Sequence, residues 1–407
     1  MKHMLGIIFA FVFVVPVIAQ TRIYPESQWA SSISQAEFQQ CLDSLSFSDD
    51  TDEAVFNTLY AKFQNDYRHH SAFVKLRFKE IDAERAAYRA ANPDTLRTQK
   101  STVLAYNDEQ FAWKTLCKKL DAQFDNDVRL CLTKKQQEIW ITTIQSSRRR
   151  RILPEVRQLG LIRSSTDLVS IIELIDLTPT VLDLIDPLLS EYVLALDEVL
   201  CSWENEADAL QAQIMTIAYG PGGYEQKSRD RSIRLRKQIE GLAANVSDLN
   251  QQYVTRIQSV LPGQYALSFV EEVYRVEYPV LFLPSPVDLA VSAVDETIQI
   301  SQEQREGINA VYEAYVLKRA EIRRQIIKGV YQWEHPRKRD LEKRRIAYKQ
   351  YIVDGLDPYK AYEGHPAMKW LDKRRSLAKN TCAQLRGLFA NDEFESLPLS
   401  LQLLLNW

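Results

Sequence analysis

A regular spacing of apolar residues in the middle of the chain constrains the fold more than any other feature. Apolar side chains recur every three or four positions on both sides of the breaker Tyr219-Gly220-Pro221-Gly222-Gly223, as they do on one face of an α-helix. The first stripe comprises Leu182, Ile185, Leu189, Tyr192, Leu196, Val199, Trp203, Ala207, Leu210 and Ile214, and the second Leu235, Ile239, Leu242, Val246, Leu249, Tyr253, Ile257 and Val260. Forty helical residues span ~60 Å, so we predict an elongated antiparallel helical hairpin.

The rest of the chain favours the same class of structure. Only 12 of 407 residues are glycine, which disfavours turn-rich β architectures, and the frequent Ala, Leu, Glu, Gln, Lys and Arg favour helix. We therefore predict an all-α fold of long amphipathic helices, arranged as antiparallel hairpins and a bundle. Prolines should mark helix ends, as at Leu153-Pro154 and in the segment 279–286. These breaks predict an N-terminal helical region (20–165), a central hairpin (166–278) and a C-terminal helical region (279–407).

The first residues have the composition of a secretory signal peptide. Lys2 gives a short basic start, and an uninterrupted apolar run extends from Met4 to Ala19. Small or β-branched residues before position 20 predict cleavage after Ala19, so that 1–19 is a signal peptide. The run is short for a permanent membrane span, which needs ~20 apolar residues. We expect a periplasmic or secreted protein with no stable membrane span after cleavage; an uncleaved anchor is the alternative.

The charge balance argues against nucleic acid as a partner. Without residues 1–19 the chain has 50 basic and 54 acidic residues, a net charge of −4. The sharpest basic cluster, Arg148 to Arg151, falls near a predicted helix C-terminus, where positive charge complements the helix macrodipole. A run of four is also short for a nucleic-acid or anionic-lipid patch.

Five cysteines are spread along the chain without metal-finger spacing: Cys41, Cys117, Cys131, Cys201 and Cys382. Cys117 and Cys131 share one predicted helical region, where fourteen residues separate them by ~21 Å, too far for a disulfide. The cysteines are therefore either small buried residues in helix seams or include one disulfide between distant segments.

No catalytic constellation is found in the sequence. It lacks the nucleophile elbow GxSxG, the phosphate loop GxxxxGK[ST], the dinucleotide fingerprint GxGxxG and the zinc motif HExxH. Asp66 and His70 are four residues apart on a predicted helix, with His69 adjacent, and this spacing can hold a metal. A solvated helix surface explains them equally well. We predict no enzymatic activity, no cofactor and no metal site.

One short pattern recurs where helices are predicted to begin. A hydrophobic residue precedes Ser, Thr or Asn, and Gln or Glu follows three positions later, which is the layout of a capping box. The residues are Ile33, Ser34 and Glu37; Asn107 and Gln110; Leu132, Thr133 and Gln136; Ile300, Ser301 and Gln304; and Leu177 and Thr178, where the box is incomplete. Ile33 and Phe38 also have the spacing of a hydrophobic staple.

At these residues the chain resembles the LTxxQ-motif (Spy/CpxP-like) helical proteins of the bacterial periplasm, most clearly from Leu132 to Gln136. It is also similar to exported helical proteins of planctomycete-type bacteria. The resemblance implies a helical envelope protein that binds other polypeptides, as a chaperone or a stress regulator. The small family members act as dimers, whereas this longer chain holds several such units covalently.

These observations lead to two hypotheses of function. The first is a non-enzymatic exported protein that binds protein or unfolded polypeptide partners. The alternative is a structural or scaffold component of the cell envelope, whose helices mediate assembly, including self-assembly into a homo-oligomer. Aromatic residues at helical spacing are predicted to be core: Trp113, Trp140, Tyr192, Trp203, Tyr253 and Tyr315. The apolar tail 397–407 is predicted to dock onto the body of the protein.

Overall fold

The computed structural model describes residues 31–47, 50–92, 100–157, 166–220, 225–297, 300–334 and 367–406. Within these ranges the chain forms helices and no strands, which confirms the predicted all-α fold. The predicted signal peptide lies outside the described residues. None of the helices in the described ranges is long and apolar enough to cross a membrane.

Thirteen α-helices and one 3-10 helix occur in the described ranges. In chain order they are α1 (Gln35–Ser44), α2 (Asp50–Ala91), α3 (Lys100–Cys131), α4 (Lys134–Arg157), α5 (Leu168–Glu173), α6 (Pro179–Tyr219), α7 (Gln226–Val260), α8 (Gly263–Glu277), the 3-10 helix (Pro279–Phe282), α9 (Pro286–Thr297), α10 (Gln302–Glu334), α11 (Met368–Arg386), α12 (Asn391–Ser396) and α13 (Leu399–Leu405). The chain divides into two compact units, Met1–Leu267 and Ser268–Trp407. Two boundaries were predicted, after residues 165 and 278, whereas the compact units have one division, between residues 267 and 268.

The predicted central hairpin is present in the first unit. α6 and α7 pack against each other along their length, and α6 also contacts α3 and α4. The buried stripe of α6 differs slightly from the predicted one. Val181 is buried where Leu182 was expected, and Leu200 is buried where Val199 was expected. Both shifts are by one position, and the later predicted positions Trp203, Ala207 and Ile214 are buried as expected.

A buried polar node fixes the register of this hairpin. The Tyr192 hydroxyl of α6 donates to Oδ1 of Asn250 in α7 over 2.9 Å. The Asn250 amide donates to the Thr166 carbonyl over 2.9 Å, and the backbone N–H of Leu168 donates to the Tyr192 hydroxyl over 3.3 Å. Asn250 and Tyr192 are fully buried. Sliding one helix past the other would leave these groups unpaired, which is costly in an apolar seam.

The remaining core of the first unit is aromatic. The rings of Phe38 and Tyr60 stack with their centroids 3.8 Å apart, and those of Phe63 and Phe124 stack at 4.2 Å. Trp140 meets the Phe124 ring edge-on at 5.6 Å. All six aromatic residues predicted to be core are at most 5% exposed, so that prediction is confirmed.

The predicted helix end at Leu153-Pro154 is wrong, because α4 continues through Pro154 to Arg157. Proline fixes φ near the helical value and costs the helix a backbone hydrogen bond. Ile152, Leu153 and Val156 are all buried on this last turn. Their packing holds the turn helical despite the proline.

The second unit has its own apolar core, formed by α9, α10, α11 and the end of the chain. Leu397, Leu401 and Leu405 of the tail are buried in it, whereas Leu399 and Leu403 are exposed. The spacing of four between the buried leucines places them on one face of α13 and the preceding turn. The predicted docking of the apolar tail is therefore confirmed.

Replacing Tyr192 by Phe should lower the free energy of unfolding by about 1–3 kcal/mol, because the Leu168 N–H and the Asn250 amide oxygen lose their buried partner. Replacing Tyr253 by Phe is the matched control, since its hydroxyl donates to the exposed Glu191 carboxylate and water can replace it. Urea unfolding of both variants measures the difference. Equal losses in the two variants would contradict the role of the buried node.

Candidate functional site

The first capping box forms as the sequence predicts. The Ser34 hydroxyl accepts from the Glu37 N–H at 3.2 Å, and the Glu37 carboxylate accepts from the Ser34 N–H at 2.8 Å. Ile33 and Phe38 are each 1% exposed in the same core, as expected for the staple. Burial acts to raise the pKa of Glu37, but hydrogen bonds from Arg150 and Ser34 outweigh it and hold the pKa below its usual value.

The glutamine boxes have the same reciprocal geometry. Gln136 accepts from the Thr133 N–H at 3.0 Å, and the Thr133 hydroxyl accepts from the Gln136 N–H at 3.4 Å. The corresponding distances between Ser301 and Gln304 are 3.0 and 3.1 Å. Both helices therefore begin where the pattern predicts.

Each box glutamine also binds a carbonyl at the end of another helix. The Gln136 side-chain amide donates to the Leu45 carbonyl at 3.0 Å, where α1 ends and Ser46 takes a left-handed φ of 42°. The Gln304 amide donates to the Leu388 carbonyl at 3.2 Å, just past the end of α11. Carbonyls at helix C-termini have no partner in their own helix. One glutamine thus satisfies a backbone N–H at the beginning of one helix and a backbone carbonyl at the end of another.

A second type of contact occurs once within each unit of the chain. Arg150 donates to the Glu37 carboxylate and to the Ser32 carbonyl, two residues before the N-cap Ser34. In the second unit Gln304 donates to the Glu393 carboxylate at 3.0 Å and to the Leu388 carbonyl, two residues before the N-cap of α12. Glu393 in turn accepts from the N-cap N–H at 2.9 Å. The glutamate at the third helical position is a docking point for another helix in both places.

Two predicted boxes have a different outcome. Asn107 and Gln110 do not cap a helix, because α3 starts at Lys100 and runs through both. Tyr106 packs against Phe78 of α2 with ring centroids 4.4 Å apart, so tertiary packing holds this segment helical and Asn107 is an interior, buried residue. Thr178 is the N-cap of α6 with Pro179 at the first helical position, and it makes no side-chain capping bond, as its incomplete box predicts.

One capping box was missed in the sequence analysis. Ser285 and Asp288 cap α9, with the Asp288 carboxylate accepting from the Ser285 N–H at 2.6 Å. The signal was present as a Ser with an acidic residue three positions later, but Asp replaces the usual Glu or Gln. Burial acts to raise the pKa of Asp288, but hydrogen bonds from Ser285 and the charge of Arg319 outweigh it and lower the pKa.

The four consecutive arginines of α4 form ion pairs with other elements. Arg148 pairs with Asp197 and, at 3.2 Å, with Glu204 of α6. Arg151 pairs with the other Glu204 oxygen at 3.0 Å. Burial acts to lower the pKa of Arg148 and Arg151, but these carboxylates outweigh it and raise both values.

The other two arginines reach different partners. Arg149 is 7% exposed and pairs with Asp167, the N-cap of α5, at 3.1 Å. Arg150 pairs with Glu37 of α1 at 2.7 Å. Four consecutive side chains thus contact α1, α5 and α6. Because α4 continues to Arg157, the run ends six residues before that point, outside the last turn where the macrodipole acts. The predicted interaction with the macrodipole is therefore replaced by pairing with these carboxylates.

A buried polar cluster next to this run holds the start of the described chain. Asp121 of α3 accepts from the Ser32 hydroxyl at 2.7 Å and from the Tyr67 hydroxyl at 2.8 Å. Burial raises the pKa of Asp121 against the opposing charge of Arg151, and burial raises the pKa of Cys117 to about 12. The thiol is therefore protonated at neutral pH and a poor nucleophile. The cluster positions helices and offers no activated group.

The histidines and cysteines do not form a metal centre in the part of the chain that the structure describes. No group of three or more His, Cys, Asp or Glu side chains there could hold a metal ion. The rings of His69 and His70 contact each other with centroids 5.4 Å apart. All five cysteines are free thiols, and Cys41 and Cys382 are buried in helix seams.

An apolar patch on the outer face of α2 is the best candidate for a binding surface. Phe73 is 62% exposed and Leu76 is 55% exposed. Exposed His69 lies on the same face, four residues before Phe73. The Arg77–Glu80 ion pair adjoins it. We call His69, Phe73 and Leu76 the outer α2 patch.

Comparison with known proteins finds no match to this chain among family models, curated proteins or solved structures.

Replacing Glu37 by Gln should lower the free energy of unfolding by about 1 kcal/mol at neutral pH. The expected loss is modest because the Arg150 side chain is about half exposed, so water screens its ion pair with Glu37. A carboxylate whose pKa is lowered in the folded state stabilises the fold at pH values above its ordinary pKa of 4.5. This stabilisation is lost as the pH falls through the pKa of the folded state. The difference should therefore be full above pH ~5 and disappear in acid. Glu84→Gln, an exposed change on α2, should show no such pH profile.

Replacing Gln136 by Glu keeps the capping acceptor but removes the donor to Leu45, and should cost about 1 kcal/mol of stability. Gln304→Glu should cost more, because the new charge faces Glu393, and its extra cost should vanish on acidification. The control Gln35→Glu, exposed at the first position of α1, should be neutral or slightly stabilising. Equal effects of the three changes in thermal unfolding would show that the amide donors are unimportant.

Proposed function

We propose that this chain is an exported, non-enzymatic helical protein that binds polypeptides through apolar side chains on the outer faces of its long helices. The observation that carries the proposal is the outer α2 patch, where a phenylalanine and a leucine one turn apart are more than half exposed. Exposed apolar side chains that lie together mark surfaces for other proteins more often than singly scattered ones do.

The surroundings of the patch suit a polypeptide partner. Beside the patch, the opposite face of α2 is buried in the core of the first unit through Tyr67, Val74 and Phe78, so the helix presents the patch on a rigid support. Arg77, Lys79 and Glu80 surround it with both signs of charge. A rigid apolar strip with a mixed polar rim binds apolar segments of unfolded chains without a demand for one sequence.

Other helices also have exposed leucines, although each of these is more isolated than the residues of the outer α2 patch. They include Leu130 (85%), Leu194 (59%) and Leu317 (72%). The resemblance to LTxxQ-motif proteins supports the proposal in the same direction, through the capping boxes at Thr133 and Ser301. The N-terminal apolar segment supports a periplasmic or secreted location, where such proteins meet unfolded clients.

The alternative is a scaffold component in which the same patch binds a second copy of the chain. Both hypotheses use the patch as an interface, but only the first predicts binding to an unrelated unfolded polypeptide. An aggregation assay with an unfolded client, together with light scattering of the protein alone, therefore separates the two hypotheses.

The mature chain should suppress the aggregation of reduced insulin, and the double change Phe73→Ser with Leu76→Ser should raise the concentration for half-suppression about tenfold. Loss of two apolar contacts worth about 1.4 kcal/mol together gives that factor. Lys62→Ser, an exposed polar change on α2 outside the patch and its rim, is the control and should leave suppression unchanged.

Two results would overturn the chaperone-like function. One is full suppression by the double variant, which would show that the patch does not bind the client. The other is no suppression by the wild-type chain together with a stable oligomer in light scattering, which would favour the scaffold alternative.

A further inference from the structure

The hairpin of α6 and α7 separates its charges along the sequence. Between Ser164 and Gln226 the chain has twelve acidic residues and no lysine or arginine, whereas the segment 227–237 has six basic residues and one acidic residue. Solvated helix faces commonly mix both signs of charge. This hairpin instead has one acidic end and one basic end.

Four of the cations form a strip along the outer face of α7. We call them the basic strip: Lys227, Arg231, Arg234 and Lys237. Successive members are four, three and three residues apart, so they lie on one side of the helix, and all four are exposed. Within the described chain none of them makes an ion pair, although Arg256 further along α7 pairs with Glu191. Since α7 packs mainly on α6, this face of α7 has no partner in the first unit.

The other end of the hairpin presents unpaired carboxylates. We call four exposed residues at the end of α5 and the start of α6 the acidic end: Glu173, Asp176, Asp183 and Asp186. None of them makes an ion pair within the described chain. The carboxylates of Asp197, Glu204 and Asp208, further along α6, do pair with cations of α3 and α4. Exposed Leu182 and Leu184 lie among the acidic residues.

The two charged surfaces are too far apart to neutralise each other within one chain. The hydrogen bond between Tyr192 and Asn250 fixes the register of the antiparallel hairpin, and in that register the basic strip lies beside residues 205–215 of α6. This is about 25 residues from Asp183 and Asp186, or ~40 Å at the helical rise per residue. The Debye length is about 10 Å at 0.1 M salt, so each surface is screened from the other.

We propose that two copies of this chain associate with their hairpins antiparallel, so that the basic strip of each copy contacts the acidic end of the other. This twofold arrangement forms both contacts at once, and twofold dimers are the commonest symmetric assemblies. The charges favour a second copy as the occupant, because every chain carries four unpaired charges of each sign on these surfaces. The contact does not use the outer α2 patch and does not depend on polypeptide binding there.

Sedimentation velocity of the mature chain over a series of concentrations tests this proposal. The wild-type chain should form a dimer and no larger species. Raising the salt from about 0.1 M to about 1 M should weaken the dimer at least about tenfold, because the Debye length falls from about 10 Å to about 3 Å. Exposed ion pairs are individually weak, so the dimer depends on several of them together.

Reversing the charge of either surface should weaken the dimer at least about tenfold, because like charges then face each other across the contact. The basic strip is reversed by Arg231→Glu with Arg234→Glu, and the acidic end by Asp183→Lys with Asp186→Lys. Mixing these two variants should restore a dimer of about wild-type affinity, because each reversed surface then meets a reversed complement. Rescue by mixing also shows that both variants are folded.

A crosslink checks which residues meet. In a mixture of isotopically light and heavy wild-type chains, a zero-length carbodiimide reagent should join Lys227 or Lys237 of one copy to Asp183 or Asp186 of the other. Mass spectrometry identifies such links between a light and a heavy peptide. Links confined to single chains would overturn the proposal.

The matched control is Lys373→Glu with Lys379→Glu, which reverses two exposed cations on α11 and should leave the dimer unchanged. Phe73→Ser with Leu76→Ser should also leave it unchanged, which separates this contact from the outer α2 patch. The proposal is overturned if reversing either surface has no larger effect than the α11 control. A wild-type chain that stays monomeric also overturns it, and strip-dependent binding of that monomer to vesicles of anionic phospholipid would make a membrane surface the occupant.

Discussion

The structure depends on side chains that cap the beginning of one helix and bind another helix at the same time. Glu37 accepts from its own N-cap and from Arg150 of α4. Gln136 and Gln304 accept from their own N-caps and donate to carbonyls at the ends of α1 and α11. The capping bonds and the bonds from the two glutamines satisfy backbone groups that helix termini leave unpaired, and the Arg150–Glu37 pair adds a charged contact. The same residues therefore determine where helices start and which helices meet. Local sequence and tertiary packing are thereby joined at single positions.

Buried arginines in both units pair with carboxylates of other elements. In the first, the run from Arg148 to Arg151 meets carboxylates on α1, α5 and α6. In the second, Arg319 of α10 pairs with Asp288, which caps α9, and Arg323 pairs with Glu271 of α8. A buried charge without a partner destabilises a fold, so these pairs help to determine which helices pack together.

The sequence predicted the features that arise from local periodicity. The hairpin of α6 and α7, the burial of Trp140 and Tyr192, and the helix starts at Thr133 and Ser301 follow from spacing within one segment. It did not predict the position of Asn107 inside α3 or the passage of α4 through Pro154, because packing elsewhere decides both. The partners of Gln136 and Arg150 lie 91 and 113 residues away. No pattern in a single sequence encodes contacts at that separation.

The central claim is that a capping-box side chain holds a second helix, and a double-mutant cycle between Glu37 and Arg150 tests it most directly. The coupling energy from Glu37→Ala, Arg150→Ala and the double variant is compared with that of the exposed pair Arg77 and Glu80 within α2. We predict a coupling of about 1–2 kcal/mol for Glu37 and Arg150, against less than about 0.5 kcal/mol for the exposed pair. Indistinguishable coupling energies for the two pairs would contradict the account.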